Sequence, residues 1–292
     1  ALLLGADLNP VRCLERNRPF TEHRWSEHTS FQPTQSDLVL QFHPWWEAAR
    51  EQLAAGRLPL IADGIGGGMP LLAHGQTGLW APVMLPVWAL GPERGTTVMA
   101  LGKLELAGLG AFLLLWRAWR LRWAAAAAAA LAYAGGAYQV AWLLVPLSWV
   151  TAALPWLWWL ALAALRRRAR WPATAALGLA GGWLLGCGLH PETAAVVFGS
   201  ALLAALVLHP RRWLRLAAAA VVATAVAAAL AWPTIGAIAA SARVDTALRE
   251  QPNRAPVPAG WRGLALRQLL LPASNGHPGR GDWQGAYPYA VA

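Results

Sequence analysis

Long apolar, alanine-rich stretches separated by arginine clusters constrain the fold of this chain more than any other sequence feature. A helix crosses a bilayer with roughly 17–25 apolar residues. Six stretches come near that length, at about Thr96–Trp116, Trp123–Leu143, Ser148–Leu165, Pro172–Leu189, Thr193–Leu208 and Leu214–Ile238. The sequence therefore predicts an all-α fold, a polytopic transmembrane helical bundle.

The composition agrees with that class and excludes another. Hydrophobic residues make up 57% of the chain and charged residues 13%, whereas a soluble domain carries about 25% charge. The net charge of +10 raises the question of nucleic acid, but the arginines lie between apolar stretches and form no basic domain. Nucleic acid is therefore excluded as a partner. The two cysteines, Cys13 and Cys187, have no metal-ligand spacing.

The arginine clusters predict the orientation of the bundle. They are Arg117/Arg120/Arg122, Arg166/Arg167/Arg168/Arg170 and Arg211/Arg212/Arg215. Each pair of clusters brackets two apolar stretches, so all three can lie on one side, and positive residues favour the cytoplasmic side. The opposite turns, at Val145–Leu147 and around Pro191, are then external. We expect an integral protein of the bacterial cytoplasmic (inner) membrane with its active face outside.

This topology divides the chain into four parts. Residues 1–6 are expected to be the end of a truncated transmembrane helix, and residues 7–95 an external loop with interfacial helices. Residues 96–238 form the membrane body of about six spans, and residues 239–292 an external loop leading into a further, truncated span. In the first loop, the amphipathic run Trp45–Ala55 suits a helix lying in the membrane interface.

Asp37 is the candidate catalytic residue, and it allows two interpretations. It follows Ser36, so it can be a first-turn carboxylate at a capped helix start. Alternatively, a carboxylate at the membrane boundary can remove a proton from an acceptor hydroxyl or hold a cation against a phosphate. The spacing of the residues does not distinguish these roles. A divalent cation is therefore kept as an alternative cofactor, and the sequence indicates no other.

Ionisable residues in or beside the apolar stretches form a second group of candidates. Lys103 and Glu105 face different sides of a helix, and each should face the protein interior or water because charge is costly in lipid. Lys103 can hold a phosphate as a point charge, or form a buried ion pair with another helix. His190 and Glu192 belong either to a tight turn that starts a helix or to the lining of a site.

The glycine-rich run Gly64–Gly68 is the one segment that invites a nucleotide interpretation. It lacks the Lys-Ser/Thr ending of a phosphate-binding loop. The sequence therefore predicts a closely packed turn at this position.

Several of these residues together resemble the bacterial YfhO-like membrane proteins, a branch of the GT-C glycosyltransferase superfamily. The matching residues are Ser36-Asp37, Gln41, Pro44, Gly56-Arg57-Leu58-Pro59-Leu60, Gly66 to Leu71, Gln76, Leu79, Pro82, Gly188 to Thr193, Leu271-Pro272, Asn275-Gly276, Trp283, Tyr287 and Tyr289. The family commonly has Trp-Asn after the Leu-Pro, whereas Leu60-Ile61-Ala62-Asp63 stands here. Asp63 is therefore a second carboxylate to consider.

The resemblance implies a GT-C-type bundle whose first external loop carries an acidic residue essential for transfer, which would be Asp37 here. The donor would be a sugar on a polyprenyl phosphate, transferred on the outer face to a cell-envelope polymer, lipid or protein. Expected substrate-binding residues are Lys103, Glu105, His190, Glu192, Gln41, His74 and Gln76. The expected function is thus a membrane hexosyltransferase. The alternatives are a transporter or flippase for a lipid-linked sugar and a non-catalytic envelope-assembly protein.

Overall fold

The computed structural model describes residues 37–165, 171–187 and 191–239, apart from the side chains of Glu192 and Ile238. Its α-helices are α1 (His43–Ala54), α2 (Leu85–Leu90), α3 (Pro92–Leu113), α4 (Trp123–Ala134), α5 (Ala137–Ala141), α6 (Ser148–Ala152), α7 (Leu154–Ala164), α8 (Trp171–Gly186), α9 (Pro191–Leu208) and α10 (Trp213–Ala239). Within these ranges there is no strand, only an isolated bridge between Ala62 and Met69. The all-α prediction is confirmed for this part of the chain.

The described residues divide between two compact units. Gln41–Ala237 belongs to one unit, and residues 37–40 and 238–239 belong to the other. The expected helix end at residues 1–6 and nearly all of the expected loop at 239–292 lie outside the described residues. The part of the expected first loop before Asp37 also lies outside them.

Within the described residues, two helical stretches are long and apolar enough to cross a membrane. They are Pro92–Ala118, with 27 residues, and Pro210–Ala237, with 28 residues, and they correspond to the first and last expected spans. The expectation of one continuous helix over Trp123–Leu143 is wrong, because α4 ends before Gly135-Gly136 and α5 begins after them. Two successive glycines carry the highest backbone entropy and leave the helix without side-chain support. The other expected spans form α6 with α7, α8 and α9.

The arginine clusters that the structure describes meet at one end of the bundle. Arg212 donates a hydrogen bond to the carbonyl oxygen of Leu165, and Arg215 donates to that of Ala164 at 2.9 Å. The start of α10 therefore caps the end of α7 with guanidinium groups, which also suit the negative end of the helix dipole. A π-helical turn, Leu114–Ala118, ends α3 and packs against α7. The expectation that the first and third clusters share a side agrees with this arrangement.

The segment from α1 to α2 packs at the opposite end, where α3 begins. Helix α2 lies against the start of α3, and Gly95 permits this because a Cβ there would meet the Val87 backbone. Trp183, near the end of α8, donates from Nε1 to the carbonyl oxygen of Trp80 at 2.6 Å. About 33 Å of helix, at 1.5 Å per residue for the 22 residues of α3, thus separates this segment from Arg117, Arg120 and Arg122, which follow the end of α3.

This segment has a small core of its own. Its buried members are Trp45, Ala49, Ala62 and Leu71. Trp46 is fully buried and donates from Nε1 to the carbonyl oxygen of Thr77 at 3.0 Å. Gly66, Gly67 and Gly68 have φ values of 58°, 78° and 111°, a region open to glycine at little steric cost. The run reverses the chain in a turn, as predicted, but the prediction of close packing is wrong, because Gly64, Gly66 and Gly67 are exposed and an added Cβ on any of them would meet nothing within 4 Å.

Helices α8 and α10 approach each other along a seam of glycines. A Cβ on Gly178 would lie 2.7 Å from the Ala219 carbonyl oxygen, and one on Gly182 would lie 2.5 Å from that of Ala223. Gly186 continues the seam one turn further. Small residues four positions apart allow helix backbones to pack closely where lipid gives no hydrophobic drive for association.

Candidate functional site

Three buried residues of α3 are polar, Thr96, Thr97 and Lys103, and the first and last of them organise the candidate site. Thr96 and Lys103 are seven positions apart, or two helical turns, and both side chains are fully buried. Lys103 follows Pro92 by 11 positions, so it lies about 16 Å along the helix at 1.5 Å per residue. The site therefore extends from the end of the bundle where α3 begins to about the middle of α3.

The Lys103 ammonium group binds the unwound turn between α5 and α6. Its Nζ donates to the carbonyl oxygen of Val145 at 2.6 Å and to that of Trp142 at 3.3 Å. The Ser148 hydroxyl donates to the same Trp142 oxygen at 2.9 Å. The sequence prediction that Lys103 faces the protein interior is confirmed. Among the described residues its hydrogen-bond partners are backbone carbonyls, whereas an ion pair was the expected alternative.

Further polar groups continue this cluster on the side of α5 and α6. Gln139 is buried, and with its amide oriented to suit its neighbours it donates to the Ser148 carbonyl oxygen at 3.1 Å. In that orientation it also accepts from the backbone N–H of Ala152 at 3.2 Å. Tyr133 Oη donates to the Thr151 carbonyl oxygen at 2.5 Å. These bonds join side chains of α4 and α5 to the backbone of α6.

At the mouth of the bundle, His43 of α1 meets Thr96 of α3. His43 Nε2 lies 3.3 Å from Thr96 Oγ1, and that hydroxyl donates its proton to the Pro92 carbonyl oxygen at 2.5 Å. His43 must then donate from Nε2–H, which makes Nδ1 the hydrogen-bond acceptor of the ring. Burial lowers the pKa of His43 to about 4, so the ring is neutral at pH 7.

The predicted site residues in the segment from Asp37 to Thr77 lie in different surroundings. Asp37 and Gln41 are exposed, beside and within the π-helical turn Leu38–Phe42. Gln76 is exposed, and the His74 ring packs edge-on against the Trp45 ring with 4.6 Å between centroids.

Glu105 faces away from Lys103, as the spacing predicts. It is exposed and lines an apolar groove of about 860 Å³ between α3 and α4. Asp63 is exposed in the turn that precedes the glycine run. His190 lies outside the described residues. Glu192 lies in the first turn of α9, and its side chain is outside the described part.

Sequence reasoning missed His43 and Gln139. His43 had a signal, since Phe42-His43-Pro44-Trp45 places a titratable ring at the start of an amphipathic helix. Gln139 is a lone amide in an apolar stretch, which is costly in lipid without partners. In the described part of the chain, no group of three or more His, Cys, Asp and Glu side chains is close enough to hold a metal ion.

Comparison with protein-family models, with curated proteins and with solved structures finds no match for this chain. The resemblance to YfhO-like membrane proteins therefore stays a prediction from the sequence motifs. The part of the chain that the structure describes is all-helical, and two of its helices are long and apolar enough to span a membrane.

Proposed function

We propose that this protein is a membrane glycosyltransferase of GT-C type. It would move a sugar from a polyprenyl-phosphate donor to a cell-envelope acceptor on the outer face of the bacterial inner membrane. One observation carries the proposal: the segment from α1 to α2 folds onto the start of α3, at the end opposite Arg117, Arg120 and Arg122. A lipid-linked substrate presents its phosphate and sugar at the membrane boundary, so its chemistry belongs at such an end.

In this proposal Asp37 is the general base that accepts the proton of the acceptor hydroxyl. Its exposure suits a group that must meet a substrate from the membrane surface. General-base catalysis contributes roughly 10²–10⁴ in rate. A divalent cation held by the same carboxylate against the donor phosphate is the alternative role.

The test is transfer in vitro with purified full-length protein, a radiolabelled polyprenyl-phosphate sugar and a cell-envelope extract as acceptor. We expect label to move into the acceptor fraction, and Asp37→Asn protein to give a rate lower by two orders of magnitude or more. Glu51→Gln is the control, because Glu51 is an exposed carboxylate of α1 to which the proposal gives no role. No transfer from a panel of polyprenyl-phosphate sugars would contradict the proposal.

A transporter or flippase for a lipid-linked sugar is the second candidate, and one observation favours it. The helix broken at Gly135-Gly136 and the unwound turn that binds Lys103 lie beside the middle of α3. Secondary transporters bind substrates near the bilayer midplane with interrupted helices and unwound carbonyls.

Proteoliposomes distinguish the two candidates. A flippase would move a fluorescent polyprenyl-phosphate sugar between leaflets without transferring the sugar. Translocation that survives Asp37→Asn and is lost on Lys103→Met would favour transport over transfer.

A further inference from the structure

A cavity of about 710 Å³ lies at the arginine-bearing end of the bundle, between the end of α3 and the helix α7. Its lining is Leu113, Arg117, Ala118, Arg120 and Trp159. The volume falls within the roughly 300–1,000 Å³ of small-molecule sites. Two arginines and the indole of Trp159 thus surround the cavity, at the end of the bundle opposite the segment from α1 to α2.

In the part of the chain that the structure describes, no ion pair compensates the arginines of this end. Between Glu105 and Asp245 the sequence contains one carboxylate residue, Glu192, against the ten arginines of the three clusters. Among the described residues the one ion pair joins Arg50 to Glu47, in α1. Arg212 and Arg215 donate hydrogen bonds to the carbonyl oxygens at the end of α7. Arg117 and Arg120 line the cavity instead, so it is strongly attractive to an anion.

The backbone holds Arg120 in a conformation that arginine rarely adopts. Its φ of 57° is the one positive value at a non-glycine residue in the described part of the chain. The Leu121 N–H donates to the Leu115 carbonyl oxygen at 3.0 Å, which closes the helix end around this residue. Glycine is the usual residue at such a position. An arginine retained in a strained position beside a cavity points to a role for its side chain.

Aromatic residues place the cavity at the level of a membrane interface. The Arg117 guanidinium carbon lies 4.2 Å from the centroid of the Trp116 ring, a cation–π contact that orients the group. Trp119 and Trp123 are 51% and 69% exposed beside it. Exposed tryptophans at the end of a spanning helix mark the lipid headgroup level.

We propose that this cavity binds the phosphodiester headgroup of an anionic membrane phospholipid. Arg117 and Arg120 donate to the phosphate oxygens, and guanidinium groups suit this because their planar N–H donors match phosphate geometry. The acyl chains lie along the exposed apolar side chains of α3. Basic pockets at helix ends are a general means of holding anionic lipids.

The experiment is lipid titration of delipidated full-length protein, followed by native mass spectrometry, with phosphatidylglycerol and phosphatidylcholine as probes. We expect at least tenfold preference for phosphatidylglycerol, and loss of that preference in Arg117→Gln and Arg120→Gln proteins. Arg122→Gln is the matched control, since Arg122 is exposed in the same cluster and does not line the cavity. Equal binding of both lipids, or equal loss in the Arg122→Gln protein, would overturn the proposal.

Two further arms separate binding from folding and lipid from free phosphate. Arg120→Gly relieves the strained backbone, so it should raise the unfolding temperature while it abolishes the lipid preference. A more stable Arg120→Gly protein that keeps the preference would refute the role of Arg120. Inorganic phosphate at millimolar concentration should not displace phosphatidylglycerol, and complete displacement would assign the cavity to free phosphate instead.

Discussion

Lys103 Nζ donates to the Val145 carbonyl oxygen at 2.6 Å, and this bond joins the middle of α3 to the turn between α5 and α6. The side chain is fully buried, and a second carbonyl, that of Trp142, lies within reach of the same ammonium group. A cation enclosed in this way serves first to hold an unwound turn together. A direct role in binding a donor phosphate would require that turn to open.

Replacing Lys103 with Met is expected to loosen the turn at residues 142–147. A hydrogen bond from a charged donor contributes about 1.5–3 kcal/mol, so amide exchange in this turn should accelerate by tenfold or more. Hydrogen–deuterium exchange measures this segment by segment. Glu105→Gln is the control, because Glu105 is exposed two positions along the same helix. Unchanged exchange at residues 142–147 together with weakened donor binding would assign Lys103 to the phosphate.

The acid sensitivity of folding should depend on His43. Burial lowers its pKa to about 4 in the folded protein, whereas an unfolded histidine titrates near 6.5. As pH falls from about 6.5 to about 4, the unfolded chain takes up the proton first, so this term reduces stability on acidification. Above pH 6.5 both states are neutral and the term vanishes.

His43→Gln should therefore flatten the decrease in unfolding temperature between pH 6.5 and 4.5, measured by thermal denaturation in detergent. His209→Gln provides the comparison, because His209 is exposed at the end of α9. The same decrease in His43→Gln and wild-type protein would show that the ring is not held neutral by burial.

The glycine seam between α8 and α10 should tolerate no added methyl group. In Gly182→Ala, the new Cβ would lie 2.5 Å from the Ala223 carbonyl oxygen, and backbone atoms cannot yield locally. We expect destabilisation of about 1–3 kcal/mol, as for other overpacked sites. Gly199→Ala in α9 meets nothing within 4 Å, so the higher helix propensity of alanine should stabilise it by up to about 1 kcal/mol. Equal unfolding temperatures for the two variants would contradict the seam.

Asp37→Asn tests the catalytic prediction. The substitution keeps the shape of the side chain and removes both charge and base, so the protein should fold and insert normally. Sugar transfer should fall by about 10²–10⁴, as measured with the labelled polyprenyl-phosphate donor. Transfer near the wild-type rate would leave Asp37 a helix-start residue and make Asp63 or Glu192 the next candidate.

Local sequence determined the helices and several of their ends. Long apolar stretches next to the arginine clusters predict α3 and α10 closely, although Pro233 lies inside α10. The positive-φ turn at Gly66–Gly68 follows from glycine alone. The seam of Gly178, Gly182 and Gly186 was also readable, because glycines at every fourth position lie on one face of a helix.

The tertiary structure decided whether a pair of successive glycines interrupts a helix. Gly135-Gly136 separates α4 from α5, whereas Gly181-Gly182 lies inside α8 without a break. The second pair packs closely against α9 and α10, at Phe198 and Ala223, and this packing offsets the entropy that glycine loses in a helix. The Gly-Gly sequence alone therefore does not predict whether the helix continues through it.

The hydrogen-bond partners of the buried polar residues could likewise not be predicted from the sequence. Val145 is 42 positions from Lys103, and Thr96 is 53 positions from His43. A lysine in an apolar stretch must find partners, because its desolvation is costly, and that necessity could be predicted. Whether a carboxylate, a phosphate or a carbonyl meets it depends on which turn the packed helices bring to the same depth, and here that turn is the one between α5 and α6.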